Sequence, residues 1–442
     1  MPTNKSYRSA FIFVTILFFL WGFITILVDS LVPRLKEVFE MSYGRTILVQ
    51  SAFFIAFFVV SLPAGYLLSK ITYKKGIIFG LLIMAAGCLL FYPASAYRSF
   101  MVFMIGYFTL ASGITVIQVA ANPYVALLGS EDSASSRLNL AQAFNSLGTT
   151  LAPIIGAIFL LSDSVKSSAS IKQLSEIEKV NYYAEEASTV QTPFVLIACF
   201  IALLALVFAF IKLPNVVQKK QKGGYLTLLK NKKMLFGILG IFVYVGAEVA
   251  IGSSFLVNYF ESMNLSVIVA SNETMMSIAN TIADVFNTNF SNTDPKSLLG
   301  IFILFYWGGA MLGRFVGAYL TKIFSPGKVL SVFAVLAICM ILISISTTGL
   351  ISMWSILAVG LFNSIMFPTI FSLSIEGFGD LKAQASGLLC MAIVGGAVIP
   401  FIFGNLIDLY GFKTAFLLTI VCYGYIFYFG VFKSGNQNLT QS

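Results

Sequence analysis

The chain has 442 residues, of which 58% are hydrophobic and only 10% charged, where a soluble domain carries about 25% charged residues. So few charges cannot cover a water-facing surface, which excludes a soluble globular protein and leaves a membrane protein. The net charge of +9 lies in lysines of short connectors rather than in a basic groove interleaved with aromatics, so nucleic acid is not an expected partner, and the absence of histidine removes His triads, His–metal sites and a His proton shuttle.

Twelve apolar runs of about 20 residues predict an all-α membrane protein of twelve transmembrane helices. They lie near 10–32, 45–69, 75–94, 98–126, 138–162, 193–213, 234–260, 298–321, 327–347, 351–374, 384–408 and 411–433. The polar start MPTNKSYRSA leads into a run longer than a signal peptide's with no small-residue cleavage site, so it reads as a retained first span. The five cysteines fall inside apolar runs with no CxxC spacing and read as packing residues, not metal ligands.

Run one carries Asp29 in LVDSLVP, with Thr25 one turn back on the same face. An ionised carboxylate near the bilayer centre costs roughly 2.5–3.5 kcal/mol. Asp29 is therefore either an acid at the outer interface or a titrating coupling residue. Lys70, Lys74 and Lys75 follow run two, and Glu131, Asp132 and Arg137 lie between runs four and five. Together with Arg314 at the end of run eight, these charges either latch an inner gate or serve only to set topology.

In run four, Thr115, Gln118 and Asn122 share one helical stripe. Pro123 follows and leaves the carbonyl of Val119 without its helical partner, which is tolerable beside a cavity or a neighbouring helix. Run five repeats the pattern with Gln142, Asn145 and Thr149. Amides offer donor and acceptor together and suit neutral polyols; a single amide, by contrast, reads as interhelical glue. Two stripes in neighbouring runs point to a shared polar cavity.

In the second half, run seven holds Glu248 with Tyr244 a turn earlier, and run ten holds Asn363 before Pro368. Trp21 and Trp307 either stack on a sugar face or pack and anchor. Three motifs recur at nearly one spacing in corresponding runs: Pro123 with Pro368, GTTLAP with GGAVIP, and GYLLSK with GAYLTK. They predict a duplication into 1–213 and 234–442, joined by a linker at 214–233. That linker holds six lysines and no acid, whereas 163–192 and 262–297 are acidic on balance. Lysine excess marks the cytoplasmic side, so both termini are expected there.

The segments FLWGFITILVDSLVPRLK, QVAANPYVALLG, SRLNLAQAFNSLGTTLAP, VGAEVAIGSSFLVNY, LFNSIMFPTIFSLSIEG and LCMAIVGGAVIP resemble the fucose/glucose–galactose permease family of the major facilitator superfamily. The resemblance spans all twelve runs. It implies two pseudo-symmetric six-helix bundles and a symporter for a neutral hexose. Asp29 matches the family's proton-coupling aspartate, and Gln142 and Asn145 match residues lining its sugar cavity. Gln118 stands where the fucose permeases carry a glutamate, as in the glucose/galactose branch, so a two-carboxylate proton relay lacks its second member here. The expected activity is import of glucose, galactose or fucose, with no enzymatic chemistry. No cofactor is expected beyond a co-transported proton or sodium ion. Gln118, Asn122, Gln142, Asn145, Glu248, Asn363 and Trp307 would line the sugar path, and Arg314, Lys74, Glu131 and Arg137 would gate it. The expected setting is a lipid bilayer, the bacterial inner membrane, with the protein as a monomer. An exporter of amphipathic compounds is the alternative.

Overall fold

A computed structural model describes residues 4–38, 43–159, 175–214, 223–285 and 295–439. Its long helices are α1 (Asn4–Val38), α2 (Tyr43–Leu68), α3 (Tyr73–Ala96), α4 (Phe100–Leu127), α5 (Ala134–Phe159) and α6 (Glu176–Phe210). After the linker come α7 (Lys232–Ile251), α8 (Pro295–Ile323), α9 (Pro326–Ser346), α10 (Gly349–Ile375), α11 (Gly379–Tyr410) and α12 (Phe412–Leu439). Helix is the required form here, because a backbone crossing lipid must bond to itself.

Eleven of these helices are long and apolar enough to cross a membrane. The exception is α5, which has the length but carries Arg137, Asn139, Gln142 and Asn145 along it. Helix starts are sealed locally: Thr72 Oγ1 accepts from the Lys75 amide, Ser99 Oγ from that of Val102, and Asn231 Oδ1 from that of Lys233. At α6, Ser175 and Glu178 form a reciprocal capping box. The helix therefore begins well before the apolar run at 193, and much of the expected connector 163–192 is helical. The connector 262–297 likewise holds two short helices, Leu265–Ser271 and Glu273–Val285.

The packing repeats between the halves. Helix α1 packs on α5, α2 on α4, and α3 on α4 and α6; correspondingly α7 packs on α11, α8 on α10, and α9 on α10 and α12. The halves meet through α5 against α8 and α10, mirrored by α11 against α2 and α4. The Gly-x4-Pro motifs have a physical basis in this arrangement. A Cβ on Gly148 would run into the Phe19 carbonyl of α1, and one on Gly395 into the Phe242 carbonyl of α7. Both glycines let backbones touch across equivalent helix pairs. Helices α4 and α10 are interior, with 61% and 83% of their membrane spans buried. That is why they can carry amides and prolines.

Candidate functional site

The halves are joined by short polar side chains at the end of the molecule where the connector residues 128–133, 211–214, 223–231 and 376–381 lie, here called the linker end. Ser135 and Ser372 hydroxyls lie 2.6 Å apart, Ser136 donates to the Ala318 carbonyl at 2.6 Å, and Asn139 Nδ2 donates to Thr369 Oγ1 at 3.1 Å. Lys382 Nζ pairs with Glu131 Oε1 at 2.5 Å. From the linker itself, the Tyr225 hydroxyl donates to the Leu62 carbonyl at 2.5 Å. Burial pushes its phenol up to about 12, so the donor proton is present at neutral pH.

In the first half, Asn122 Oδ1 accepts from Gln142 Nε2 at 3.3 Å, joining the stripes of α4 and α5. Both amides are buried, and Asn122 Nδ2 has no partner among the described residues. Gln118 is half-buried, and its side chain carries no hydrogen bond among the described residues. Thr115 is turned inward on its own helix, bonding the Ala111 carbonyl. Asn145 Nδ2 donates to the Phe18 carbonyl at 2.9 Å, so this amide braces α5 against α1. The carbonyl freed by Pro123 is not left empty: the Ser386 hydroxyl of α11 donates to Val119 O at 2.8 Å.

The second half centres on an ion pair. Arg314 Nη2 lies 3.7 Å from Glu248 Oε1, and both side chains are 13% exposed. Tyr244 donates to Glu248 Oε1 at 2.7 Å, and the Tyr306 hydroxyl donates to the Glu248 carbonyl at 3.2 Å. Asn363 Nδ2 reaches the Tyr306 and Tyr423 hydroxyls at 2.6 and 3.3 Å, while its Oδ1 has no partner among the described residues. Pro368 frees the carbonyl of Ser364, and Arg314 Nε takes it at 3.1 Å. Arg314 Nη1 also donates to Ser146 Oγ on α5, across the interface. A charge pair in an apolar interior is costly unless fully bonded and is usually retained for function.

Several expected roles fall elsewhere. Arg314 sits with Glu248 in the interior, not with the acids of the linker-end connectors, because the proline-freed carbonyl and the carboxylate together provide acceptors for its fork. Lys74 Nζ caps α6 at the Ala209 carbonyl, and Arg137 closes the end of α4 through the Val125, Ala126 and Ser130 carbonyls. Both act within the first half. Glu131 alone of the four expected gating residues is bonded to the opposite half at this end, through Lys382. Lys382 and Ser386 were not expected from sequence. The signal available was position, since Lys382 opens α11 much as Arg137 stands near the start of α5. Tyr306 and Tyr423 were also missed, being indistinguishable in sequence from packing aromatics. Trp21 is buried against Phe18, ring centroids 5.3 Å apart, and reads as packing. Trp307 is 41% exposed and edge-on to Tyr306. The side chain of Asp29 lies outside the described residues.

The Major Facilitator Superfamily model matches residues 10–399. A glucose/galactose transporter of Brucella abortus is 44% identical over 98% of this chain and 96% of its own. The L-fucose-proton symporter of Escherichia coli K12 is 32% identical over 98% of this chain and 94% of its own. The solved structure of the transporter FucP in the outward conformation superposes with a TM-score of 0.85 at 30% identity, covering 97% of this chain and 99% of that one.

Proposed function

The chain belongs to the major facilitator superfamily, and from that premise we propose that it is a secondary active importer of a neutral hexose, glucose or galactose before fucose. It works by alternating access, in symport with a proton or sodium ion. It is a transporter, not an enzyme. The observation that carries the reading is the interior ion pair Glu248–Arg314, tied to Ser146 of the other half, one turn along α5 from the buried Gln142 that meets Asn122. This set of donors and acceptors fits hydroxyls on both faces of a ring without requiring a charged substrate.

In this reading the bundles are 1–213 and 234–442, with 214–233 as a cytoplasmic linker. Gln118, Asn122 and Gln142 contribute from the first half, and Glu248, Asn363 and Trp307 from the second, while Asn145 positions α5. Asp29, on α1, carries the coupling ion. Both termini are cytoplasmic, as the lysine-rich linker favours, and the membrane is the bacterial inner membrane. One chain supplies both halves of the site, so the monomer is the working unit. Loading of sugar and ion favours an occluded form that each binds better than the open ones.

The test is uptake of radiolabelled glucose, galactose and fucose into proteoliposomes under an imposed proton gradient and, separately, a sodium gradient. Concentrative uptake of one of these sugars under one gradient is the expected result. Transport of none, with extrusion of amphipathic dyes instead, would replace this reading with the exporter.

A further inference from the structure

Prolines interrupt α4 and α10 at equivalent places, and each frees one carbonyl. The groups that take these carbonyls differ in origin. Ser364 is held by Arg314, from α8 of its own half. Val119 is held by Ser386, from α11 of the opposite half. Val119 lies between Gln118 and Asn122 on the polar turn of α4. Ser386 is fully buried. The next residue, Gly387, lies where α11 meets α2, and a Cβ there would stand 2.7 Å from the Ser61 carbonyl and 3.3 Å from Gly65 Cα. The bond to Val119 thus belongs to the same contact that shuts the linker end.

We propose that Ser386 is a positioning residue that reports closure of the linker end to the sugar-facing turn of α4. With that end shut, its hydroxyl replaces the donor that Pro123 lacks and fixes the turn bearing Gln118 and Asn122. When α11 withdraws from α4, the Val119 carbonyl loses this donor and turns to water, and the turn loosens. Ser364 keeps its Arg314 donor because α8 and α10 belong to one half. Opening of the linker end therefore changes the donor of the proline-freed carbonyl in the first half and not in the second, although the Arg314–Ser146 bond also spans the two halves. The inference rests on the alternating-access reading.

The experiment measures the distance between spin labels at Lys75 and Lys322, exposed residues at the linker ends of the two halves, by pulsed electron paramagnetic resonance in proteoliposomes. Only the exposed Cys199 and Cys339 need replacement, since Cys88, Cys390 and Cys422 are buried. Ser386→Ala should enrich the long-distance population relative to the short by about three- to tenfold, the value of one buried hydrogen bond. Ser331→Ala removes another buried hydroxyl, bonded only within the second half, to the Gly327 and Phe427 carbonyls, and should leave the ratio unchanged. In a Pro123→Ala background the helix satisfies Val119 itself, so Ser386→Ala should then add little. A wild-type ratio in Ser386→Ala, or the same shift persisting with Pro123→Ala, overturns the proposal. A single distance in the wild type with and without sugars and gradients refutes alternating access, and the inference falls with it.

Discussion

Among individual residues, the amides divide into those that hold helices together and those left open. Asn145 is bonded to a backbone carbonyl of α1, whereas Gln118 is unpartnered among the described residues and half-buried. Gln118→Ala and Gln142→Ala should each abolish sugar uptake while yielding folded protein; unchanged uptake in both would remove α4 and α5 from the sugar path. The Glu248–Arg314 pair separates stability from transport. Glu248→Gln strands the Arg314 charge in the interior and should cost about 3–5 kcal/mol, read as a lower unfolding temperature in detergent. Replacing both, Glu248→Gln with Arg314→Met, should recover most of that stability and none of the uptake. If transport returned with the fold, the pair would be structural only.

Within and between helices, recurring motifs translate into packing. Gly148 and Gly395 sit where α5 touches α1 and α11 touches α7. Gly148→Val should destabilise the fold by about 1–3 kcal/mol or more through overpacking. Gly308→Ala, with open space around it, should leave the unfolding temperature unchanged or slightly raised, since alanine favours a helix interior. Equal tolerance at both sites would contradict the close approach. Helix type, number and order were legible from hydropathy, because every span must satisfy its backbone alone. Helix ends were less so: the capping box at Ser175 starts α6 far ahead of its apolar run, since a capped polar stretch outside lipid needs no hydrophobicity.

For the whole molecule, six side chains of α5, α11 and the linker, namely Ser135, Ser136, Asn139, Lys382, Ser386 and Tyr225, join the halves at the linker end. Coupling also belongs to this scale, because an ion gradient does work only if carbohydrate and ion cross together. Asp29→Asn should lose concentrative uptake while retaining sugar exchange across the membrane; retained accumulation under the same gradient would move the coupling ion elsewhere, with Glu248 the next acid to replace.

Composition and periodicity alone determined a membrane protein of helical spans, its duplication, and the two amide stripes, because those properties are written in local order along the chain. Pro123 even announced that the Val119 carbonyl would need a donor other than its own helix, and the recurrence at Pro368 marked the equivalent place in the second half. Which groups answer them was decided only by tertiary structure. Arg314 faces Glu248 and not the connector acids, Glu131 finds Lys382, and Val119 finds Ser386, since each partner lies on a helix distant in sequence. A polar side chain in a bundle takes whichever acceptor the crossing of two helices brings within about 3 Å, and that crossing is set by the small residues and shapes of both surfaces together.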